Sequence, residues 1–234
     1  MFGKCDYKEA LANLELSVYN FNKTSINNSL KGNALYMIGC AQESLGHIDQ
    51  AIESLKYALV LNEKRPEAHR NHKDIARTLR RLGAVFKLKG EYSKSRKYLK
   101  KSLLLSVSEF GPHHCEVAQT HEFLAGTLYL EGNHEEALQH VQATLDIYDS
   151  DGNSTILGRC YCLKGVILDQ TSKDSELAIK VFKTSIEHYE SSPDDQKDYM
   201  GLASAVLKLA TLQDCNQIYP SATKNYISKS KSMN

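Results

Sequence analysis

The sequence predicts an all-α protein built from repeated pairs of helices, and three observations lead to this fold class. A small residue four places before a bulky one recurs at steps of 41, 44, 42, 41 and 44 residues. Glycine recurs where the first helix of a pair has to end, and sustained apolar–polar alternation, the mark of β-strands, is missing. Such a period is typical of a solenoid, in which each repeat buries its apolar face against its neighbours. The small residues and their bulky partners are Ala10 with Leu14, Ala51 with Leu55, Ser95 with Leu99, Ala137 with Val141, Ala178 with Phe182, and Ala222 with Tyr226.

The pattern within one repeat predicts a helix, a tight turn and a second helix. Gly83 is small, so two helices can approach closely at that point, and Gly90 can adopt the left-handed conformation that often ends a helix. Ser95 and Leu99 then fall on the inner face of the second helix. Neighbouring repeats carry the same spacing as Gly39, Gly46, Ala51, Leu55 and as Ala125, Gly132, Ala137, Val141.

The chain is predicted to be a single array of such repeats over residues 1–234. The last repeat is predicted to start at the sequence Ser-Pro-Asp-Asp of residues 192–195, because serine caps helices and proline suits their first turn. The fourth and fifth repeats keep the spacing less well, and the fourth requires one inserted residue near 171–175. The boundaries are a half-repeat at 5–20 and repeats at about 32–65, 72–110, 113–150, 154–190 and 194–231.

Composition favours an ordinary soluble protein. Of the 234 residues 41% are hydrophobic and 24% are charged, and the formal net charge is +1. The longest apolar runs are far shorter than the roughly 20 residues needed to cross a bilayer, and the N-terminus does not resemble a signal peptide. The six cysteines form no Cys-x-x-Cys pair, which favours reduced structural thiols. We therefore expect a cytoplasmic protein that does not bind membranes.

The sequence contains no recognisable catalytic or cofactor motif. Glycine-rich phosphate loops, Gly-x-Ser-x-Gly, His-Glu-x-x-His and EF-hand loops are all missing. The potential zinc ligands do not have the spacing of a known site. We expect no enzymatic activity, cofactor or metal. The potential ligands considered are His113, His114, Cys115, His121, Cys160 and Cys162.

The spacing of small residue, glycine, alanine and bulky residue resembles the tetratricopeptide repeat family. Steps of 41–44 residues exceed the usual 34 of that family, and they resemble its kinesin-light-chain or nephrocystin-like subclass. Residues 111–118, Gly-Pro-His-His-Cys-Glu-Val-Ala, are similar to the Gly-x-x-His-Pro-x-Val-Ala loop of the subclass, with Cys115 where proline is usual. The resemblance covers nearly the whole chain. It implies a right-handed superhelical solenoid of antiparallel helix pairs, whose first helices line a concave groove for a protein or peptide.

The same resemblance implies which side chains face that groove, by counting from the small residue of each first helix. An alternative, which stays open, is that these are solvated polar residues without a ligand. The predicted protein-binding residues are Asn33, Tyr36, Arg77, Arg80, Lys87, Gln119, Glu122, Tyr129 and Arg159. The same counting places Cys40, Glu43, Ala84, Gly126, Cys162, Val166, Asp169, Ser204, Leu207, Thr211 and Asp214 on the groove.

Charge is strongly divided along the chain. Residues 70–101 contain twelve basic and two acidic residues, a net charge of +10, whereas residues 116–198 carry −10. The electric field of such an uneven charge distribution steers oppositely charged partners. We expect Arg77, Arg80 and Lys87 to bind an acidic segment of a partner protein, with Tyr129 as an aromatic contact. Nucleic acid is disfavoured because the neighbouring acidic repeats would repel phosphate.

The predicted function is therefore a non-catalytic scaffold or adaptor that binds a partner peptide or helix. One alternative is a regulatory arm of a larger enzyme or sensor of which this chain is a fragment. Another is self-association, in which the basic repeat of one copy meets the acidic repeats of a second copy. The sequence does not identify the partner.

Overall fold

The structure is a computed structural model, and it describes residues 4–23, 28–64, 71–148, 154–172, 175–193 and 197–213. The described residues form ten α-helices and no β-strand. Asp214 and the predicted final helix, with Ala222 and Tyr226, lie outside them. The helices are α1 (Lys4–Lys23), α2 (Asn28–Ser44), α3 (Ile48–Glu63), α4 (His72–Leu88), α5 (Tyr92–Phe110), α6 (Cys115–Leu130), α7 (His134–Tyr148), α8 (Ser154–Thr171), α9 (Ser175–Ser191) and α10 (Tyr199–Leu212).

Three sets of neighbouring helices pack as antiparallel pairs. The α2–α3, α4–α5 and α8–α9 pairs form the most extensive helix contacts. The turn of the α4–α5 pair depends on Gly90, whose φ of 81° is in the left-handed region. There the amide of Glu91 donates to the carbonyl of Phe86 at 2.9 Å, which satisfies an orphan acceptor at the helix end. Gly46 and Gly132, at the equivalent turns, have φ values of 81° and 83°.

The missing side chain of a glycine lets the two helices of a pair come close together. A Cβ atom added to Gly83 would lie 2.4 Å from Cγ of Leu99, and one added to Gly39 would lie 2.6 Å from Cγ of Leu55. Both leucines are fully buried. Gly165 has the same relation to Phe182, with a distance of 2.9 Å to Cε1. The close approach of two paired helices at a small residue of the first helix, which the sequence predicts, is confirmed in these three pairs.

Chain contacts divide the molecule into two compact lobes, Met1–Thr127 and Leu128–Asn234. In the first lobe, one cluster of buried apolar residues is formed by α3 and α4, with partly buried side chains of α2 and α5 packed against it, and a smaller cluster lies between α1, α2 and α3. In the second lobe, α8, α9 and α10 enclose a cluster around Phe182 and Tyr189. The predicted boundaries of a single array stay a prediction.

The predicted helix start at residues 192–195 is wrong. Ser192 follows α9, and its hydroxyl donates to the carbonyl of His188 at 3.1 Å, so it satisfies the end of one helix and does not begin the next. Helix α10 begins at Tyr199. Its cap is Asp198, whose Oδ1 accepts a hydrogen bond from the amide of Gly201 at 2.9 Å. Residues 194 and 195 lie outside the described residues.

Candidate protein-binding site

A pocket of about 690 Å³ opens between α1, α2 and α4 of the first lobe. It exists because Leu14 and its apolar neighbours on α1 pack against Leu35 and Ile38 of α2, which holds α1 beside the first helix of the next pair. This volume is in the range of about 300–1,000 Å³ that is typical of ligand pockets. The lining comes from Tyr7, Glu9, Ala10, Asn13 and Leu14 of α1, from Tyr36, Met37, Cys40, Ala41, Glu43 and Ser44 of α2, and from Arg81 of α4.

The floor of the pocket is polar and contains one charged pair. Arg81 Nη1 donates to Glu43 Oε2 at 3.3 Å. Burial raises the pKa of Glu43, although the positive charge of Arg81 opposes this rise. Burial also raises the pKa values of Tyr36 and Cys40, so both stay neutral near pH 7. The floor therefore offers hydrogen-bonding groups around an ion pair and has no reactive thiolate.

The lining surface of the pocket is mostly apolar, although the exposed lining residues Glu9, Asn13 and Ser44 are polar. Met37 is 54% exposed, and Leu14 is half-buried. Ala10 and Ala41 are small, so they leave the volume open. A mostly apolar lining with a few polar groups can hold a bulky apolar side chain and orient it by hydrogen bonds.

Arg77 and Arg80 are both bound to Glu116, the second residue of α6. Arg77 donates from Nε and Nη2 to Glu116 Oε1 at 3.0 and 2.8 Å. Arg80 Nη1 donates to Oε2 at 2.6 Å and to the backbone carbonyl of Glu116 at 3.1 Å. Burial would raise the pKa of Glu116, but the two guanidinium groups outweigh it and lower that pKa. These bonds join α4 to α6, and only Arg77 keeps substantial exposure, 48% of its side chain against 12% for Arg80.

The remaining predicted residues of the first lobe lie on three first helices. Asn33 is exposed on α2, and Gln119 and Glu122 are half-buried on α6. Lys87 of α4 is half-buried and places its ammonium group 5.2 Å from the centre of the Phe123 ring. The structure thus places Tyr36 in the same pocket as Arg81, a residue that the sequence does not predict to bind a partner. Arg77 and Arg80, which the sequence does predict, are bound to Glu116 of the same chain.

The two other predicted residues belong to the second lobe. The hydroxyl of Tyr129 accepts a hydrogen bond from Gln170 Nε2 at 3.0 Å. Its ring lies 5.7 Å from the ring of His134. Arg159 is exposed on α8. Whether any of the nine residues binds a partner stays a prediction.

The described residues offer little for other chemistry. No group of three histidine, cysteine or acidic side chains in that part of the chain could hold a metal ion. Cys40, Cys115, Cys160 and Cys162 are thiols and do not form disulfides. Burial raises the pKa of Cys162 to about 11, which keeps it protonated. Among the described helices, none is both long enough and apolar enough to span a bilayer.

Comparisons with known proteins agree with this architecture. Residues 74–150 and 116–191 match a tetratricopeptide repeat model, and residues 32–65 match a second one. No curated protein sequence matches the chain significantly. The solved structure of BtubC (BKLC) from P. vanneervenii is similar with a TM-score of 0.74 and 13% identity, over 97% of this chain and 90% of that one.

Two further structures have the same fold. MamA is 21% identical with a TM-score of 0.57, over 80% of this chain and 91% of its own. A kinesin light chain-like protein from P. anserina with nearly identical TPR-like repeats is 11% identical, with a TM-score of 0.58 over 88% of this chain and 95% of its own. The predicted all-α repeat fold is confirmed. With a family model that matches half of its residues, the chain belongs to the tetratricopeptide repeat family.

Proposed function

We propose that this chain is a non-catalytic, cytoplasmic scaffold or adaptor whose first lobe binds a segment of a partner protein along α2 and α4. Tetratricopeptide repeats are in general protein-interaction modules, which supports the class of function. The observation that carries the proposal is the open pocket of about 690 Å³, whose lining is mostly apolar with a few polar groups. A bulky apolar side chain of the partner would fill it, while Tyr36 and Arg81 would bind the adjacent peptide backbone.

Charge favours an acidic residue next to that apolar side chain. The exposed edge of Arg77 and the ammonium group of Lys87 are the cations of α4 that a partner carboxylate would approach. Arg80 would contribute indirectly, by holding Glu116 and thereby α6 in place. Asn33, Gln119 and Glu122 would provide further polar contacts along the first helices. Tyr129 and Arg159 are proposed as partner contacts of the second lobe.

The test uses a matched pair of exposed methionines. Met37 of α2 lines the pocket and is 54% exposed, whereas Met200 of α10, in the second lobe, is 61% exposed. The same substitution, Met→Glu, can therefore be made at both positions with little cost in stability. A peptide library that tiles a proteome is panned against the wild-type chain, and the affinities of selected peptides are measured by fluorescence anisotropy.

We expect Met37→Glu to weaken binding of the selected peptides at least about tenfold, because it replaces an apolar lining side chain by a charge and repels acidic partners. Met200→Glu should leave the affinity unchanged. Selection of no peptide, or equal losses in the two variants, would contradict the proposal.

A further inference from the structure

The outer face of α5 carries a row of lysines. Lys94, Lys97, Lys100 and Lys101 are all exposed, and the helix contains no acidic residue before Glu109. Other second helices differ in this respect. The exposed residues of α3 include Asp49, Glu53 and Lys56, and those of α9 include Glu176, Lys180, Lys183 and Glu187.

Two lysines of α5 differ from the arginines of α4 in their ion pairing. Three arginines of α4 are bound to carboxylates, Arg77 and Arg80 to Glu116 and Arg81 to Glu43. On α5, Lys94 is paired with Glu91. For Lys97 and Lys101, the described part of the chain provides no ion-pair partner. Lys97 and Lys101 of α5 therefore contribute positive charge that no carboxylate of the described residues neutralises.

Two apolar side chains continue the same face. Leu104 is 75% exposed and Val107 is 38% exposed. Lys97, Lys101 and Leu104 follow each other at helical spacing of four and three residues, so their side chains lie on one side of α5. From residue 97 to residue 107 this face extends about 15 Å along the helix axis. A strip of lysines that ends in exposed leucine and valine is amphipathic along its length.

We propose that this strip, the exposed face of Lys97, Lys101, Leu104 and Val107, binds an acidic amphipathic helix of a partner protein. Carboxylates at helical spacing on the partner would pair with the lysines, and an apolar residue one turn further on would cover Leu104. The surface is separate from the pocket between α1, α2 and α4, so the chain would hold two segments at once. Charge complementarity would also accelerate association at low ionic strength.

Other anionic ligands match the strip less well. Nucleic acid phosphates would pair with the lysines but would leave Leu104 and Val107 uncovered. A membrane surface requires a broader apolar face than two side chains on one helix. An acidic amphipathic helix would pair with the two lysines and also cover the two apolar side chains of the strip.

The probe is a labelled synthetic peptide of about five helical turns, with glutamates at i and i+4 and leucines at i+7 and i+11. Its affinity for the full chain is measured by fluorescence anisotropy, together with the affinity of a scrambled peptide of equal charge. Three variants are compared: Lys97→Glu with Lys101→Glu, Leu104→Ser alone, and a control, Lys180→Glu with Lys183→Glu, which reverses two exposed lysines of α9. Circular dichroism verifies that each variant is folded.

The α5 charge reversal and Leu104→Ser should each weaken binding about tenfold or more, and the α9 control should bind like wild type. Raising the salt concentration should weaken binding of the wild-type chain. Met37→Glu should not affect this peptide, so failure of this inference is distinguishable from failure of the proposed function.

Four results would overturn the inference. The scrambled peptide could bind equally well, or Met37→Glu could abolish binding. Vesicles containing phosphatidylserine or a single-stranded oligonucleotide could bind the strip more tightly than the peptide does. Finally, the wild-type chain could form salt-sensitive dimers that the α5 charge reversal abolishes, which would make a second copy the occupant.

Discussion

The close approach of paired helices at Gly83 makes a quantitative prediction about stability. In an exposed helix, replacing glycine by alanine gains about 1 kcal/mol, because alanine loses less conformational entropy on folding. In Gly83→Ala the new Cβ atom would lie 2.4 Å from Cγ and 2.7 Å from Cδ2 of Leu99. Leu99 is fully buried, so a shift of its side chain would disturb the packing around it. Overpacking of this kind typically costs about 1–3 kcal/mol, and a contact this short belongs near the upper end.

We therefore expect Gly83→Ala to lower the free energy of unfolding of the chain by about 1–2 kcal/mol, the overpacking cost minus the helix-propensity gain. Gly126→Ala is the matched control, since a Cβ there would meet only Nζ of Lys87 at 3.5 Å, an ordinary contact. That variant should gain up to about 1 kcal/mol.

Urea unfolding followed by far-ultraviolet circular dichroism measures both effects. A Gly83→Ala variant as stable as wild type, or more stable, would refute the packing argument. Equal changes in the free energy of unfolding for the two variants would also refute it, because only the Cβ atom added at residue 83 would meet closely packed atoms.

Two further predictions concern buried polar groups of the first lobe. Ser102 Oγ donates to the carbonyl of Ala76 at 2.7 Å, whereas Ser106 Oγ, one turn later on α5, is buried and has no hydrogen-bond partner among the described residues. We therefore expect Ser102→Ala to lower the free energy of unfolding by about 1 kcal/mol and Ser106→Ala to leave it unchanged or raise it, as measured by thermal unfolding. A larger loss for Ser106→Ala than for Ser102→Ala would contradict this assignment. Because the pKa of Glu116 is lowered in the folded lobe, its ionised form stabilises the fold above about pH 4.5, and this contribution is lost as the pH falls through the lowered pKa. Glu116→Gln should be about 1–3 kcal/mol less stable than wild type at pH 7, with a difference that shrinks below pH 4.5, and a difference independent of pH would exclude the ion pair.

The fold was predictable because its determinants are local in the sequence. Gly83 and Leu99 are 16 residues apart, and their relation repeats as Gly39 with Leu55. Gly46, Gly90 and Gly132 each have, at a turn between two helices, the left-handed conformation that the pattern requires. The helix start at 192–195 failed because Ser-Pro-Asp-Asp satisfies the general rules for a start, while the actual cap, Asp198, is another polar residue in the same stretch.

The candidate site was predictable only in part. Counting along α2 selects Tyr36, Cys40 and Glu43, which do line the pocket. Arg81 was missed because, within a run of three basic residues in five positions, no sequence signal tells which one faces α2 and which faces α6. The partner of Arg77 and Arg80 was missed for a related reason, since Glu116 lies at the start of another repeat and only tertiary packing brings it near.

The central claim is that the pocket on α1, α2 and α4 holds a segment of another protein, and site-specific photo-cross-linking tests it most directly. A photoreactive amino acid is placed at Met37 and, as the matched control, at Met200, and cross-linked peptides are identified by mass spectrometry in a mixture of the chain and its library-selected ligand. Both positions are exposed. We predict that position 37 cross-links to one segment of the ligand that contains a bulky apolar residue and that position 200 does not. Equal cross-linking from the two positions, or none from position 37, would contradict the account.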